Sequence, residues 1–152
     1  MINETIKKNG LTFGVLSGIV SALITSTIYA IDLKFFVSLW VGVVSIMIYL
    51  ILAIVLLSKT KKELKGIFTF KEAFTTYFIS AVIAILIGTA FNILLFNVID
   101  PSAQDTLKEI AKMKESNPFS TIELLKGSAS SIVFSSIFGL IMAAFFKSKS
   151  QE

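Results

Sequence analysis

The sequence offers few side chains that could carry out catalytic chemistry. It contains no Cys and no His, which excludes disulfides, thiolate catalysis, His-ligated haem or zinc, and any triad that uses His as its base. A Ser–Lys dyad is formally available, but every Lys lies outside the long apolar segments. There is also no glycine-rich phosphate loop and no Walker-type lysine motif. We therefore expect a protein that is not an enzyme and that holds no cofactor or metal.

The most polar side chains within the apolar segments are the amides of Asn92 and Asn97. An amide in hydrocarbon needs hydrogen-bond partners, so these residues could bind a ligand or line a polar path. The simpler interpretation, which we favour, is an interhelical hydrogen bond for Asn92 and interfacial solvation for Asn97. No ionisable group lies inside the segments, which argues against pumps and proton-driven carriers.

Four uncharged apolar segments, over residues 11–31, 35–58, 73–99 and 127–146, dominate the chain of 152 residues, of which 55% are hydrophobic. About 20 helical residues cross a hydrocarbon core of about 30 Å, and the segments lack the polar face of a soluble helix. The first is too long for the apolar region of a cleaved signal peptide. We predict an all-α integral membrane protein, a four-transmembrane-helix bundle forming a single domain over residues 1–152. The predicted spans cover about residues 11–31, 35–58, 70–99 and 121–146.

Two capping boxes mark predicted helix starts. Thr69 and Glu72 place the start of the third helix near Phe70, and Ser120 and Glu123 place the start of the fourth near Thr121. Aromatic residues close to the start of the third span are expected at headgroup depth. These are Phe68, Phe70, Phe74 and Tyr77.

The loop over residues 100–120 is the one substantial polar segment between spans. Asp100 can cap a helix that has Pro101 at its first position. We predict one external amphipathic helix over about residues 101–115, lying on the outer leaflet or over the bundle. A solvated helical linker is the alternative. The apolar face of the helix would carry Ala103, Leu107, Ile110 and Ala111.

The lysines predict the orientation. With four spans both termini share one side, which then holds nine lysines against four glutamates, whereas the other side holds five lysines against six acids. The positive-inside rule places both termini in the cytoplasm, and the strongest signal is the cluster over residues 59–65. The expected partners are the lipid bilayer and anionic headgroups at the cytoplasmic face, not nucleic acid.

Small residues recur every fourth position in three of the spans, so each of these helices carries a groove of small side chains on one face. Gly14 and Gly18 form a GxxxG pair, whereas the second span has mostly bulky residues and is expected to face lipid. The grooves could form a homodimer interface, but we favour packing within one chain. The candidate helix-packing residues are Gly14, Gly18, Ala22, Ser80, Ala84, Gly88, Asn92, Ser131, Ser135 and Gly139.

Two stretches carry a resemblance to a known family. They are TFKEAFTTYF over residues 69–78 and FNILLFNVIDP over residues 91–101. With the order of the spans, they resemble the family named domain of unknown function 4199. The resemblance implies a multi-pass protein of the bacterial cytoplasmic membrane and carries over no activity. The positions that match the family motifs include Phe70, Lys71, Glu72, Phe74, Asn97, Asp100 and Pro101.

Our functional prediction is a non-enzymatic membrane protein that acts by association, as an accessory subunit for an unknown membrane partner or as a lipid-interacting element. The alternative is a small carrier or channel that works as a homo-oligomer. Its polar path would be lined by Ser17, Ser21, Thr25, Ser128, Ser131 and Ser135.

Overall fold

The computed structural model describes residues 2–112 and 117–149, which form helices and no strands. Four of the helices are long and apolar enough to span a membrane. Helix α1 covers Glu4–Ile31, α2 covers Leu39–Glu63, α3 covers Phe70–Ile93, α4 covers Ser102–Ile110 and α5 covers Thr121–Phe146. A π-helical segment, Leu94–Ile99, continues α3.

The first two helices differ from their predicted limits. α1 starts well before residue 11, at Glu4, because the Asn3 side chain accepts a hydrogen bond from the backbone N–H of Thr5 and caps the helix. α2 starts later than residue 35, since Leu33–Val37 forms a 3-10 turn capped by Asp32. It then continues to Glu63, beyond the apolar run.

The helix starts near Phe70 and Thr121 are confirmed, but only one capping box is complete. Thr69 and Glu72 exchange both hydrogen bonds. Ser120 accepts from the backbone of Glu123 at 3.4 Å, whereas the Glu123 carboxylate instead binds Lys126 at 2.7 Å.

Helices α1 and α3 run parallel and pack through glycines. A Cβ atom added at Gly14 would lie 2.8 Å from the Cβ of Ile83, and one at Gly18 would lie 2.7 Å from the Cβ of Ile87. Each isoleucine therefore fills the space that the missing side chain leaves. The same relationship joins Gly10 to Ile79, so the glycine face of α1 receives a ridge of isoleucines from α3.

Helix α3 lies at the centre of the bundle and contacts α1, α2 and α5. On its α5 side, Tyr77 packs against Gly139, where an added Cβ would lie 2.7 Å from the ring. The Tyr77 hydroxyl also accepts a hydrogen bond from Ser135 at 3.2 Å. Tyr77 is half-buried and Phe68 is completely buried, so both residues contribute to packing within the bundle, and their headgroup depth stays a prediction.

Buried clusters lie at both ends of the bundle. We call the end with residues 59–66 the lysine-rich end and the opposite end the α4 end. The first cluster lies at the lysine-rich end and joins α2, α3 and α5, with Leu57, Phe68 and Ala143 fully buried. The second lies at the α4 end and includes the fully buried Phe96 and Leu107.

Helix α4 lies on the bundle. Ala103 and Leu107 are buried against the end of α3, the 3-10 turn and Phe119. The helix ends at Ile110, before the predicted residue 115, and Lys112 follows in the left-handed region with φ of 53°. Residues 113–116 of the predicted helix lie outside the described residues. α4 begins at Ser102, after Pro101, and its first turn has no side-chain cap hydrogen bond of good geometry, although the backbone N–H groups of Ala103 and Ser102 lie close enough to Asp100 to help lower the pKa of its carboxyl.

Candidate functional site

A cavity of about 650 Å³ lies between the four long helices. Its back wall belongs to α1 and α3, where the lining residues Ser17, Ser80 and Gly88 are buried. Its front edges belong to α2 and α5, where the lining residues Ile46 and Phe134 are 59% and 69% exposed. The cavity therefore opens sideways, between α2 and α5.

The two buried clusters bound this cavity along the bundle. Ala53 and Met142 line it and also belong to the first cluster, which forms its floor at the lysine-rich end. At the α4 end, the last lining residue on α3 is Asn92, and the second cluster begins with the neighbouring Phe91 and with Leu95. Within the described residues, the cavity is thus a side pocket and not a pore through the bundle.

The lining has a polar side, formed by α1 and α3, and a mainly apolar side, formed by α2 and α5. No charged side chain is among the residues that line the cavity in the described part of the chain. The apolar side also contributes the hydroxyls of Tyr49, Ser131 and Ser135. The polar side includes Ser17, Ser21, Tyr77, Ser80, Thr89 and Asn92, and the bulky apolar residues of the other side are Ile46, Leu50, Leu56, Phe134, Phe138 and Met142.

Two of the hydroxyls that line the cavity, those of Ser17 and Ser80, are buried and yet have no hydrogen-bond partner among the described residues. In an apolar helix, a Ser or Thr hydroxyl commonly donates to the carbonyl four residues earlier, and seven hydroxyls of the described residues do so. Ser17 and Ser80 are 6% and 7% exposed, yet neither makes a side-chain hydrogen bond to a described residue. The seven bonded hydroxyls are those of Ser26, Thr27, Ser45, Thr60, Thr76, Ser131 and Ser136.

The oxygen atoms of Ser17 and Ser80 border open space. Among the described residues, every fully enclosed side-chain nitrogen or oxygen has a hydrogen-bond partner. Hydroxyls without a partner must therefore retain access to the cavity that they line. Each of these oxygens can therefore form a hydrogen bond to a molecule inside the cavity.

Several of the predicted packing residues lie around this cavity and the others lie behind it. Gly14 and Gly18 face isoleucines of α3, Gly139 faces Tyr77, and Ala22 is half-buried on α1 without lining the cavity. Six of the predicted packing residues line it, namely Ser80, Ala84, Gly88, Asn92, Ser131 and Ser135.

The polar path predicted from the hydroxyls is brought together in part. Ser17 and Ser21 of α1 share the cavity with Ser131 and Ser135 of α5. Thr25 is buried and Ser128 is half-buried, and neither lines the cavity.

Among the described residues, Asn92 makes a hydrogen bond within its own helix and not the interhelical bond that we predicted. The Asn92 amide donates to the carbonyl of Gly88 in its own helix at 2.8 Å. The Asn92 amide can reach this carbonyl because Gly88 lies one helical turn before Asn92. The rest of the Asn92 side chain is left facing the cavity.

A polar network joins α1, α3 and α4 at the α4 end. The Tyr29 hydroxyl donates to Asp100 at 2.6 Å, and Ser102 donates to the other carboxylate oxygen. The hydrogen bond from Ser102, which has the largest effect, and the one from Tyr29 hold the pKa of the Asp100 carboxyl below its ordinary value. Asn97 donates to the carbonyl of Phe119 at 3.0 Å, so its polar contacts include the chain itself and not only the interfacial solvent that we expected.

The positions that match the family motifs lie at the two ends of α3, away from the cavity. Glu72 completes the capping box, Phe74 stacks on Phe78, and Phe70 and Lys71 are exposed. At the other end lie Asn97, Asp100 and Pro101.

A buried polar contact at the lysine-rich end was not anticipated from the sequence. Asn9 is 3% exposed, and its amide donates to Thr60 at 3.1 Å and to Glu63 at 2.7 Å. Asn9 precedes the uncharged run, so it resembled an ordinary residue of a polar terminus. Its partners are more than 50 positions away, and no local pattern indicates them.

A second groove, of about 390 Å³, lies between α1 and α2. Its two hydroxyls, those of Thr27 and Ser45, both donate to carbonyls of their own helices. The other lining residues are apolar except for the indole N–H of Trp40, which belongs to a side chain that is 79% exposed and not buried. This groove therefore lacks the buried, unpartnered polar groups that distinguish the larger cavity.

Comparison with known proteins yields one match. The family described as protein of unknown function (DUF4199) matches residues 12–148. No curated protein and no solved structure matches the chain.

Proposed function

This chain belongs to the DUF4199 family, and we propose that it is an integral membrane protein that binds a membrane-dissolved molecule in the cavity between α2 and α5. Its role is non-enzymatic, as a lipid-interacting or accessory component of the bacterial cytoplasmic membrane. The observation that carries the proposal is the pair of buried, unpartnered hydroxyls, Ser17 and Ser80, inside a sideways-opening cavity.

Several features support placement in a membrane. Four helices have the required length and hydropathy, and large apolar side chains are exposed along their outer faces. Trp40 is 79% exposed and Phe145 is 80% exposed, which is costly in water and favourable in lipid. The lysine-rich end then faces the cytoplasm, where its lysines meet anionic headgroups.

The shape of the cavity supports binding from within the bilayer. A molecule dissolved in lipid reaches a sideways opening without leaving the hydrocarbon. The volume of about 650 Å³ lies within the range of about 300–1,000 Å³ that is typical of ligand sites. The glycine face of α1 and Gly139 of α5 are covered by residues of α3, whereas a Cβ added at Gly127 of α5 would meet no atom within 4 Å, so the α1 stripe is not free to form the homodimer interface that the stripes also allowed.

A small homo-oligomeric carrier is the second candidate. The shared lining of Ser17, Ser21, Ser131 and Ser135 favours it, because a carrier needs a polar site inside an apolar bundle. The buried clusters at the two ends of the bundle do not favour an open channel.

Placement and orientation can be tested by labelling, since the chain has no Cys. Single cysteines at Lys62 and at the exposed Thr106 would be treated with a membrane-impermeant maleimide in intact cells. We expect labelling of Thr106→Cys and protection of Lys62→Cys until the cells are opened. Labelling of both in intact cells would contradict the proposed topology.

Binding can be tested by blocking the opening. Ser131 and Ser130 are adjacent exposed serines of α5, and only Ser131 lines the cavity. We expect native mass spectrometry of the purified chain to show a bound lipid with the parent and with Ser130→Phe, but not with Ser131→Phe. Equal lipid retention by the two variants would exclude the cavity as the binding site.

A further inference from the structure

We propose that the cavity selects an uncharged lipid with a single apolar tail and a hydroxylated ester headgroup, of which a monoacylglycerol is the simplest example. This inference rests on the proposed function, since it names the class of molecule that the same cavity binds. It is carried by three properties of the lining: the absence of charge, the positions of the unpartnered polar groups and the division into polar and apolar sides.

The absence of charge selects against ionic headgroups. No Lys, Asp or Glu is among the cavity-lining residues of the described chain, and an isolated charge in an apolar site is strongly disfavoured. A phosphate or carboxylate drawn into this cavity would lose water without gaining a cation. The lysines near the membrane lie instead beyond the buried floor, over residues 59–65.

The polar side offers both donors and an acceptor. The hydroxyls of Ser17 and Ser80 can donate to a carbonyl oxygen of a ligand. Asn92 uses one amide N–H on the carbonyl of Gly88, and its side-chain oxygen accepts no hydrogen bond from a described residue. A headgroup with an ester carbonyl and a free hydroxyl would complement these groups, because it can accept from the serines and donate to Asn92.

The apolar side fits a tail. Ile46 and Leu50 of α2 lie across the opening from Phe134 and Phe138 of α5, and all four are exposed as well as lining the cavity. An acyl chain between them would bury both its own surface and theirs, which is favourable by about 25 cal/mol per Å² of apolar area. A lipid with one acyl chain fits this site, because the cavity has one opening and the wall behind that opening is polar.

The experiment uses the purified full chain in maltoside micelles with a photoreactive monoacylglycerol that carries a diazirine in its acyl chain. Unlabelled monoacylglycerol and a lysophosphatidylglycerol with the same chain serve as competitors, since they differ in headgroup charge. We expect peptides of α2 and α5 to be labelled, and we expect monoacylglycerol to compete at least tenfold better.

Variants then test the hydrogen bonds. Ser17→Ala and Ser80→Ala preserve side-chain volume closely, and each should weaken binding about fivefold, the effect of losing one neutral hydrogen bond. Ser26→Ala is the matched control, because Ser26 is an exposed hydroxyl of α1 that bonds its own helix and does not line the cavity. Thermal unfolding of each variant would establish that it remains folded.

The outcomes separate the two proposals. If both lipids compete equally, or if Ser17→Ala and Ser80→Ala bind like Ser26→Ala, the headgroup assignment is wrong. A lower yield of labelling with Ser131→Phe than with Ser130→Phe would still support a lipid-binding cavity in that case. If these two variants are labelled alike, the cavity does not bind the probe and both proposals fail.

Discussion

The hydroxyl of Tyr29 donates a 2.6 Å hydrogen bond to the carboxylate of Asp100. The two residues lie near the same end of two parallel helices, since Tyr29 belongs to the last turn of α1 and Asp100 directly follows the π-helical segment that continues α3. The bond therefore joins α1 and α3 beyond their glycine–isoleucine contacts. Ser102 donates to the same carboxylate, so the start of α4 depends on the same group.

This arrangement predicts an acid-sensitive contact. Hydrogen bonds from Ser102 and Tyr29 hold the pKa of Asp100 below its ordinary value. Because the pKa of Asp100 is lower in the folded state than in the unfolded state, its ionised carboxylate stabilises the fold at pH values above the unfolded-state pKa. That contribution is lost as the pH falls through the lowered folded value. We expect Tyr29→Phe to lower the melting temperature at neutral pH and the difference from the parent to shrink below about pH 4.

Tyr49→Phe is the control for this measurement. It removes a tyrosine hydroxyl that makes no hydrogen bond to a described residue, so its effect should be small and independent of pH. Melting temperatures of both variants between pH 3 and pH 7, in the same detergent, would provide the comparison. A Tyr29→Phe effect of constant size over that whole range would show that Asp100 is not its origin.

A second prediction concerns the contact between α1 and α3. Gly18→Ala would place a Cβ 2.7 Å from the Cβ of Ile87, a branched atom that cannot rotate away. Overpacking of this kind destabilises by about 1–3 kcal/mol, so the melting temperature should fall. Gly42→Ala is the matched control, because a Cβ there meets no atom within 4 Å. Equal melting temperatures for the two variants would contradict the parallel packing.

The pattern of small residues predicted close helix contact but not which helices make it. The spacing of Gly14 and Gly18 indicates a groove on α1. It contains no information on the filling side chains, because Ile83 and Ile87 resemble any other apolar residues of a span. The pairing follows from the whole bundle, which also explains why a local pattern allowed both a homodimer and internal packing.

Other features could be predicted from the sequence only where neighbouring residues determine them. The helix starts near Phe70 and Thr121 could be predicted because caps act over three residues. The cavity could not be located, since it depends on α2 and α5 remaining apart over much of their length. The unpartnered state of Ser17 also depends on that separation.

A third prediction tests the buried contact that the sequence did not indicate. Asn9→Leu removes the amide that donates to Thr60 and to the Glu63 carboxylate. The loss of hydrogen bonds beside a buried group should destabilise by about 1–3 kcal/mol, measured as the free energy of unfolding. Lys59→Ala removes a more exposed partner of Glu63, at 3.9 Å, and should cost less than about 1 kcal/mol. A larger loss from Lys59→Ala would show that the ion pair, not Asn9, stabilises this end.

A fourth prediction concerns α4, which could have been a solvated linker. Leu107 is completely buried against Phe96 and neighbouring aromatic residues. Leu107→Ala should therefore destabilise the whole bundle by about 2–5 kcal/mol, the usual effect of removing a buried leucine side chain. Thr106→Ala changes the adjacent exposed residue and should have an effect within about 0.5 kcal/mol. Because α4 packs on the 3-10 turn and on the π-helical segment that continues α3, the loss should appear in unfolding of the long helices, followed by circular dichroism. If the two variants unfold alike, α4 is not part of the stable core, and the α4 end of the cavity is less firmly closed than its buried cluster indicates.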